Sequence, residues 1–121
     1  MTEKKNPRVP NLHFYRGDIL ARMGRNEEAE RELRQEIAFY PTEPDAYASL
    51  ILLLTTENRL QEATQLIFRL VQVAPLPPSY VAISETLRAV GDDRGALYWA
   101  YQGLQKFPQD PALKKLAARR G

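Results

Sequence analysis

The chain has 121 residues, 44% hydrophobic and 26% charged, enough for one domain or one compact array with a buried core. A formal net charge of +2 is too near balance to draw a nucleic acid or a membrane by itself. The lack of cysteine excludes disulfides, thiolate nucleophiles and cysteine metal sites, without assigning a redox compartment. The longest aliphatic run, Leu50 to Leu54, is far short of a membrane span, and the basic N-terminus has no apolar stretch behind it as a secretory signal would. A cytoplasmic setting is the default expectation.

Residues 1–9 are polar and contain Pro7, which reads as a flexible lead-in. Pro10 suits the first turn of a helix, where its missing N–H would be unpaired anyway. From Leu12 to Met23, the residues Phe14, Ile19, Leu20 and Met23 recur at helical spacing, and Gly24 ends the helix. Asn26 is the expected cap of a second helix, with Glu27 and Glu28 in its first turn favouring the dipole. Its inward stripe is Ala29, Leu33, Ile37 and Tyr40.

The plan then repeats. A helix over Asp45 to Thr56 is apolar nearly all round (Tyr47, Leu50, Ile51, Leu52, Leu53, Leu54), as a helix packed on several sides would be. Its partner runs from Leu60 to Val73 with Ala63, Leu66, Ile67 and Leu70 inward. A third unit opens at Pro77-Pro78-Ser79 with the stripe Tyr80, Ile83, Leu87 and Val90. It turns at Gly91-Asp92-Asp93 and continues with Ala96, Ala100, Leu104 and Phe107. A last helix, residues 111–120, carries Leu113, Leu116 and Ala117 on one face and Lys114, Lys115, Arg119 and Arg120 elsewhere, as the cover for an open end should.

Three features recur in phase across these units. Pro10, Pro44, Pro77 and Pro111 open them at intervals of 34, 33 and 34 residues. Ala29, Ala63 and Ala96 each stand twelve residues before a closing proline, Pro41, Pro75 or Pro108. Gly24, Asn58 and Gly91 each stand five residues before those alanines. A period of this length with two helices inside it marks a helix–turn–helix solenoid.

These residues resemble the tetratricopeptide repeat family, with Gly17, Leu20 and Ala29 in the first unit. The second carries Leu50, Leu54, Ala63, Ile67 and Pro75 in the matching places, and the third Tyr80, Ser84, Leu87, Ala96 and Pro108. Small residues belong where two helices cross because a larger side chain there would overlap its neighbours. The sequence departs from the pattern at Ile51, where a small residue is usual, and at His13, where a large apolar one is. It departs again at Ala100, whose space Trp99 would fill from a shifted direction. The resemblance implies an all-α, right-handed superhelical solenoid of three helix pairs plus a C-terminal capping helix. It forms a single domain over residues 10–121, with repeats at about 10–43, 44–76 and 77–110.

No catalytic or cofactor constellation accompanies this pattern. His13 is the only histidine, so no zinc set is specified. Gly91-Asp92-Asp93-Arg94-Gly95 lacks the ligand spacing of a calcium loop and coincides with an inter-helix turn. Neither a phosphate loop nor a nucleophile elbow is present. The expectation is a protein without enzymatic activity, cofactor or metal, and the basic ends lack the interleaved aromatics that would favour nucleic acid. An enzymatic role would belong only to a larger parent chain carrying this array.

The resemblance further implies a groove lined by the first helix of each pair. Its residues here are Asn11, Phe14, Asp18 and Arg22, then Asp45, Ala48, Leu52 and Thr56, then Val81, Glu85 and Arg88, with Lys115 from the cap. The carboxylate clamp by which some members hold chaperone tails is missing, its places being taken by Phe14, Asp18, Ser49, Pro78 and Ala82. The expected partner is instead a peptide or helix of another protein with a few apolar anchors. A second expectation concerns Tyr98, Trp99 and Tyr101, which point different ways round one helix. They either pack under the C-terminal helix or form a patch for self-association, the chain then acting as a structural connector and homodimer.

Overall fold

The structure, a computed structural model, describes the backbone of residues 12–118 and the side chains of residues 16–118. Among the described residues it is all-α, with seven helices and no strand: α1 Leu12–Arg22, α2 Asn26–Phe39, α3 Pro44–Thr56, α4 Leu60–Val73, α5 Pro77–Ala89, α6 Asp93–Lys106 and α7 Pro111–Ala118. None of these helices is long and apolar enough to cross a membrane.

The turns inside the three pairs are built alike. Gly24, Asn58 and Gly91 take the left-handed conformation at φ 80°, 61° and 87°. The next residue donates its N–H back five positions, Arg25 to Leu20, Arg59 to Leu54 and Asp92 to Leu87, at 2.8–2.9 Å. This is the hydrogen-bonded glycine-type helix stop, with Asn tolerated at the middle turn because its short polar side chain suffers least there after glycine. The second helix of each pair ends at Tyr40, Ala74 or Phe107, with φ between −131° and −139° and ψ between 69° and 73°. Each precedes a proline, whose ring excludes the helical conformation from its predecessor. Pro44 and Pro77 then sit in the first turn of α3 and α5.

The link between α4 and α5 has one residue fewer than the other two between pairs, 74–76 against 40–43 and 107–110. Glu43 and Asp110 each donate to the carbonyl three residues back, whereas Leu76 donates to Ala74, two back, at 2.8 Å. The shortened repeat interval is thus taken up in a tighter turn.

Neighbouring helices pack in chain order, and α1, α3, α5 and α7 also pack each on the next of that series. No contact reaches further than two helices along the chain among the described residues. The core runs through these layers: Ala29 and Leu33 from α2; Tyr47, Leu50, Ile51 and Leu54 from α3; Ile67 and Leu70 from α4; Ile83 from α5; Ala96 from α6.

Several expectations are corrected at the level of single residues. Asn26 does not cap α2; Arg25 holds that place and pairs through its own guanidinium with Glu28 one turn on. The third helix begins at Pro44, one residue before Asp45. Ile19 and Met23 are not inward but more than half exposed (56% and 60%), because α1 packs only on α2 and α3 while α3 is enclosed by four helices. Glu36, outside the apolar stripe, is buried. Trp99 does not lie under the C-terminal helix: its ring meets Phe68 of α4 at 5.5 Å and Tyr80 of α5 at 6.3 Å. The residue beneath α7 is Gly103, where a Cβ would lie 2.8 Å from Leu113 and 2.9 Å from Tyr80. Residues 1–11 and 119–121, including the end of the expected capping helix, lie outside the described residues.

A charged cluster ties the first pair to the second. Arg59, in the turn before α4, bonds Glu30 of α2 at 2.7 Å, Glu62 at 2.8 Å and Glu57 at 3.0 Å. Arg34 reaches Glu30 at 2.9 Å and Glu62 at 3.7 Å. The hydrogen bonds from Arg59 hold the carboxyls of both Glu30 and Glu62 below their ordinary value. Both glutamates remain partly solvated, so the cluster orients the pairs more than it stabilises them.

Candidate functional site

Between α1 and α3 lies a cleft of about 550 Å³. Its floor is set by close helix approach. Gly17 is buried against α2, where a Cβ would stand 2.7 Å from Leu33 and 3.2 Å from the Ala29 carbonyl. The missing side chain lets α2 come close beneath the cleft, and Ala21 one turn on lines it with no more than a methyl group. Leu33 of α2 and Leu53 of α3 close the bottom.

The rim is polar on the α1 side and mixed on the α3 side. Arg22 donates to Asp18 at 2.9 Å, an exposed pair at helical i, i+4 spacing. Leu52 projects from α3 with 40% of its surface exposed, between Ser49 and Thr56. The other large apolar residues of α3 are buried, so Leu52 is the one that offers open apolar surface. Thr56 is turned partly back, its hydroxyl donating to the Leu53 carbonyl at 2.8 Å.

Four of the residues expected in the groove therefore meet here: Asp18, Arg22, Leu52 and Thr56. Asp45 is exposed in the first turn of α3 and Ala48 is half-buried; neither lines the cleft. On α5, Val81 is half-buried and Glu85 exposed, and Lys115 is exposed on α7. Arg88 has a structural environment instead: its guanidinium is 3.9 Å from Asp93 and 3.5 Å from the Leu116 carbonyl, joining α5 to α6 and α7. Asn11 and the side chain of Phe14 lie outside the described residues. The wall residues Ala21, Ser49 and Leu53 were not among the expected groove residues. The first two stand three positions from Asp18 and Leu52, the helical interval that shares a face.

A second hollow of about 560 Å³ lies between α2 and α4. Its walls are long polar side chains such as Arg34, Gln65, Arg69 and Gln72, and Arg34 is committed to ion pairs. Leu66 and Phe68 also line it, but no glycine or alanine does, and the α1–α3 cleft has the larger share of small and apolar lining. Of the self-association residues, Tyr98 and Tyr101 are about half exposed (53% and 51%), while Trp99 is half-buried with Tyr98 edge-on to it at 5.3 Å.

Compared with models of known protein families and with curated proteins, the chain matches none.

Proposed function

We infer that this chain is a non-catalytic interaction module of tetratricopeptide type, a solenoid of three helix pairs with a closing helix, that works in a cytoplasmic setting. Its cleft would hold a peptide or helical segment of another protein. Three repeated turns, three proline-stopped second helices and a contact pattern that never skips beyond two helices support the solenoid reading. The observation that carries the functional reading is the convergence of Asp18, Arg22, Leu52 and Thr56 over a small-residue floor. Such a surface fits one apolar anchor at Leu52 with polar contacts on either side.

Replacing Leu52 with Asp tests this. The side chain is open enough for the helix to tolerate the change, so circular dichroism should match the parent. Capture of native partners by the full chain should fall to background. Partners retained by a folded Leu52→Asp variant would move the interface elsewhere.

A further inference from the structure

The outward faces of α2, α4 and α6 carry corresponding residues at the same repeat interval as Ala29, Ala63 and Ala96. One row is Glu27, Gln61 and Arg94; the next Arg31, Gln65 and Tyr98; the next Arg34, Phe68 and Tyr101. All nine are exposed. The three helices face the same way without packing directly on one another, and side chains bridge them: Arg34 reaches Glu62 across the first gap and Phe68 meets Trp99 across the second. The face therefore changes character along the chain: charged on α2, aromatic and cationic on α6, and between them amides, one phenyl ring and Arg69.

That gradient is complementary to itself. A two-fold axis lying in the contact plane and running along α4 would lay α2 of one copy over α6 of the other, row upon row. Glu27 would then face Arg94 of the second copy, Arg31 would face the ring of Tyr98, and Arg34, still paired with Glu30, would present the face of its guanidinium to Tyr101. Each such pair occurs twice, and Phe68 meets its own equivalent on the axis. Opposite charges, guanidinium on aromatic face and ring against ring are all favourable pairings. None of these three rows brings like charges together, and the one cation that would meet its own equivalent along the axis is Arg69, exposed beside Phe68. Glu27, Arg31 and Arg94 form no ion pair within the chain among the described residues, so they are free for these partners.

We propose that the α2–α4–α6 face is a self-complementary interface through which two copies of this chain associate about a two-fold axis along α4. Such an isologous contact closes on itself and leaves the α1–α3 cleft of each copy open. It extends the function proposed above, because a dimer would present two clefts to one partner. It does not depend on that function, since its test reads only the oligomeric state.

The test is sedimentation equilibrium of the full chain over a concentration series, with charge swaps on the exposed face. Glu27→Arg alone, or Arg94→Glu alone, sets like charges opposite each other in two places and should weaken dimerisation about tenfold. The double variant restores the pairing with the signs exchanged and should return to within about threefold of the parent. Circular dichroism should be the same in all four proteins. A parent that stays monomeric throughout the series would overturn the proposal. So would a dimer that ignores the single swaps, or one that both swaps weaken and their combination fails to restore.

Discussion

The outer helix pairs and the middle pair solve the same crossing in opposite ways. In α1/α2 the crossing residue is Gly17, and in α5/α6 it is Ser84, whose hydroxyl donates to the Ala96 carbonyl at 2.8 Å. Both let two backbones come close. In α3/α4 the equivalent place holds Ile51, fully buried, and the two backbones approach less closely. What the middle pair loses in backbone approach it regains in apolar volume, since α3 is enclosed by α1, α2, α4 and α5. The comparison teaches that this repeat does not require a small residue at the crossing. It requires a filled crossing, and neighbours decide which side chain fills it.

Opposite substitutions should break that comparison in opposite places. The largest effect is expected for Ile51→Ala, which leaves a cavity in the most enclosed helix and should cost about 2–5 kcal/mol in a urea unfolding series. Gly17→Val should come next. Its side chain would run into Leu33 and the Ala29 carbonyl, and overpacking of this kind costs about 1–3 kcal/mol. If Ile51→Ala were neutral and Gly17→Val equally so, the crossings would not be packed as described.

A smaller effect sharpens how the two pairs are joined. Glu30 and Glu62 have carboxyls held below the ordinary value of 4.5 by the hydrogen bonds of Arg59. A depressed carboxyl contributes stability above its unfolded value and loses it as pH falls through the folded one. The contribution should therefore be whole above about pH 4.5 and fade below it. Arg59→Gln should lower the thermal midpoint slightly at neutral pH and flatten its fall below pH 4.5, as read by thermal melts across pH. An unchanged acid limb would mean that the cluster does not link the pairs energetically.

The parts of the fold legible in the sequence are those set by local backbone chemistry. Gly24, Asn58 and Gly91 mark turns because the left-handed conformation admits few residues, and the closing prolines mark helix ends through the residue before them. The tight link at Pro75 to Pro77 followed from counting alone. Residues whose role depends on which helix lies opposite were not legible. Ile19 reads as core by spacing yet is exposed, for want of a helix beyond α1 among the described residues to cover it. Glu36 reads as surface yet is buried. Nothing in the spacing singles out Gly103, whose small size is explained by the approach of Tyr80 and Leu113. At the site, the family resemblance was what pointed to Asp18 with Arg22 and to Leu52 with Thr56. It could not tell that Arg88 is engaged with Asp93 and α7.

The claim that the α1–α3 cleft receives a partner segment is tested most directly by nuclear magnetic resonance. A segment obtained by capture with the parent chain would be titrated into the labelled full chain, and shift changes followed residue by residue. The changes should concentrate at Asp18, Ala21, Arg22, Ser49, Leu52 and Thr56, and vanish in Leu52→Asp. Changes centred instead on Phe68, Tyr98 and Tyr101, with the cleft silent, would contradict it.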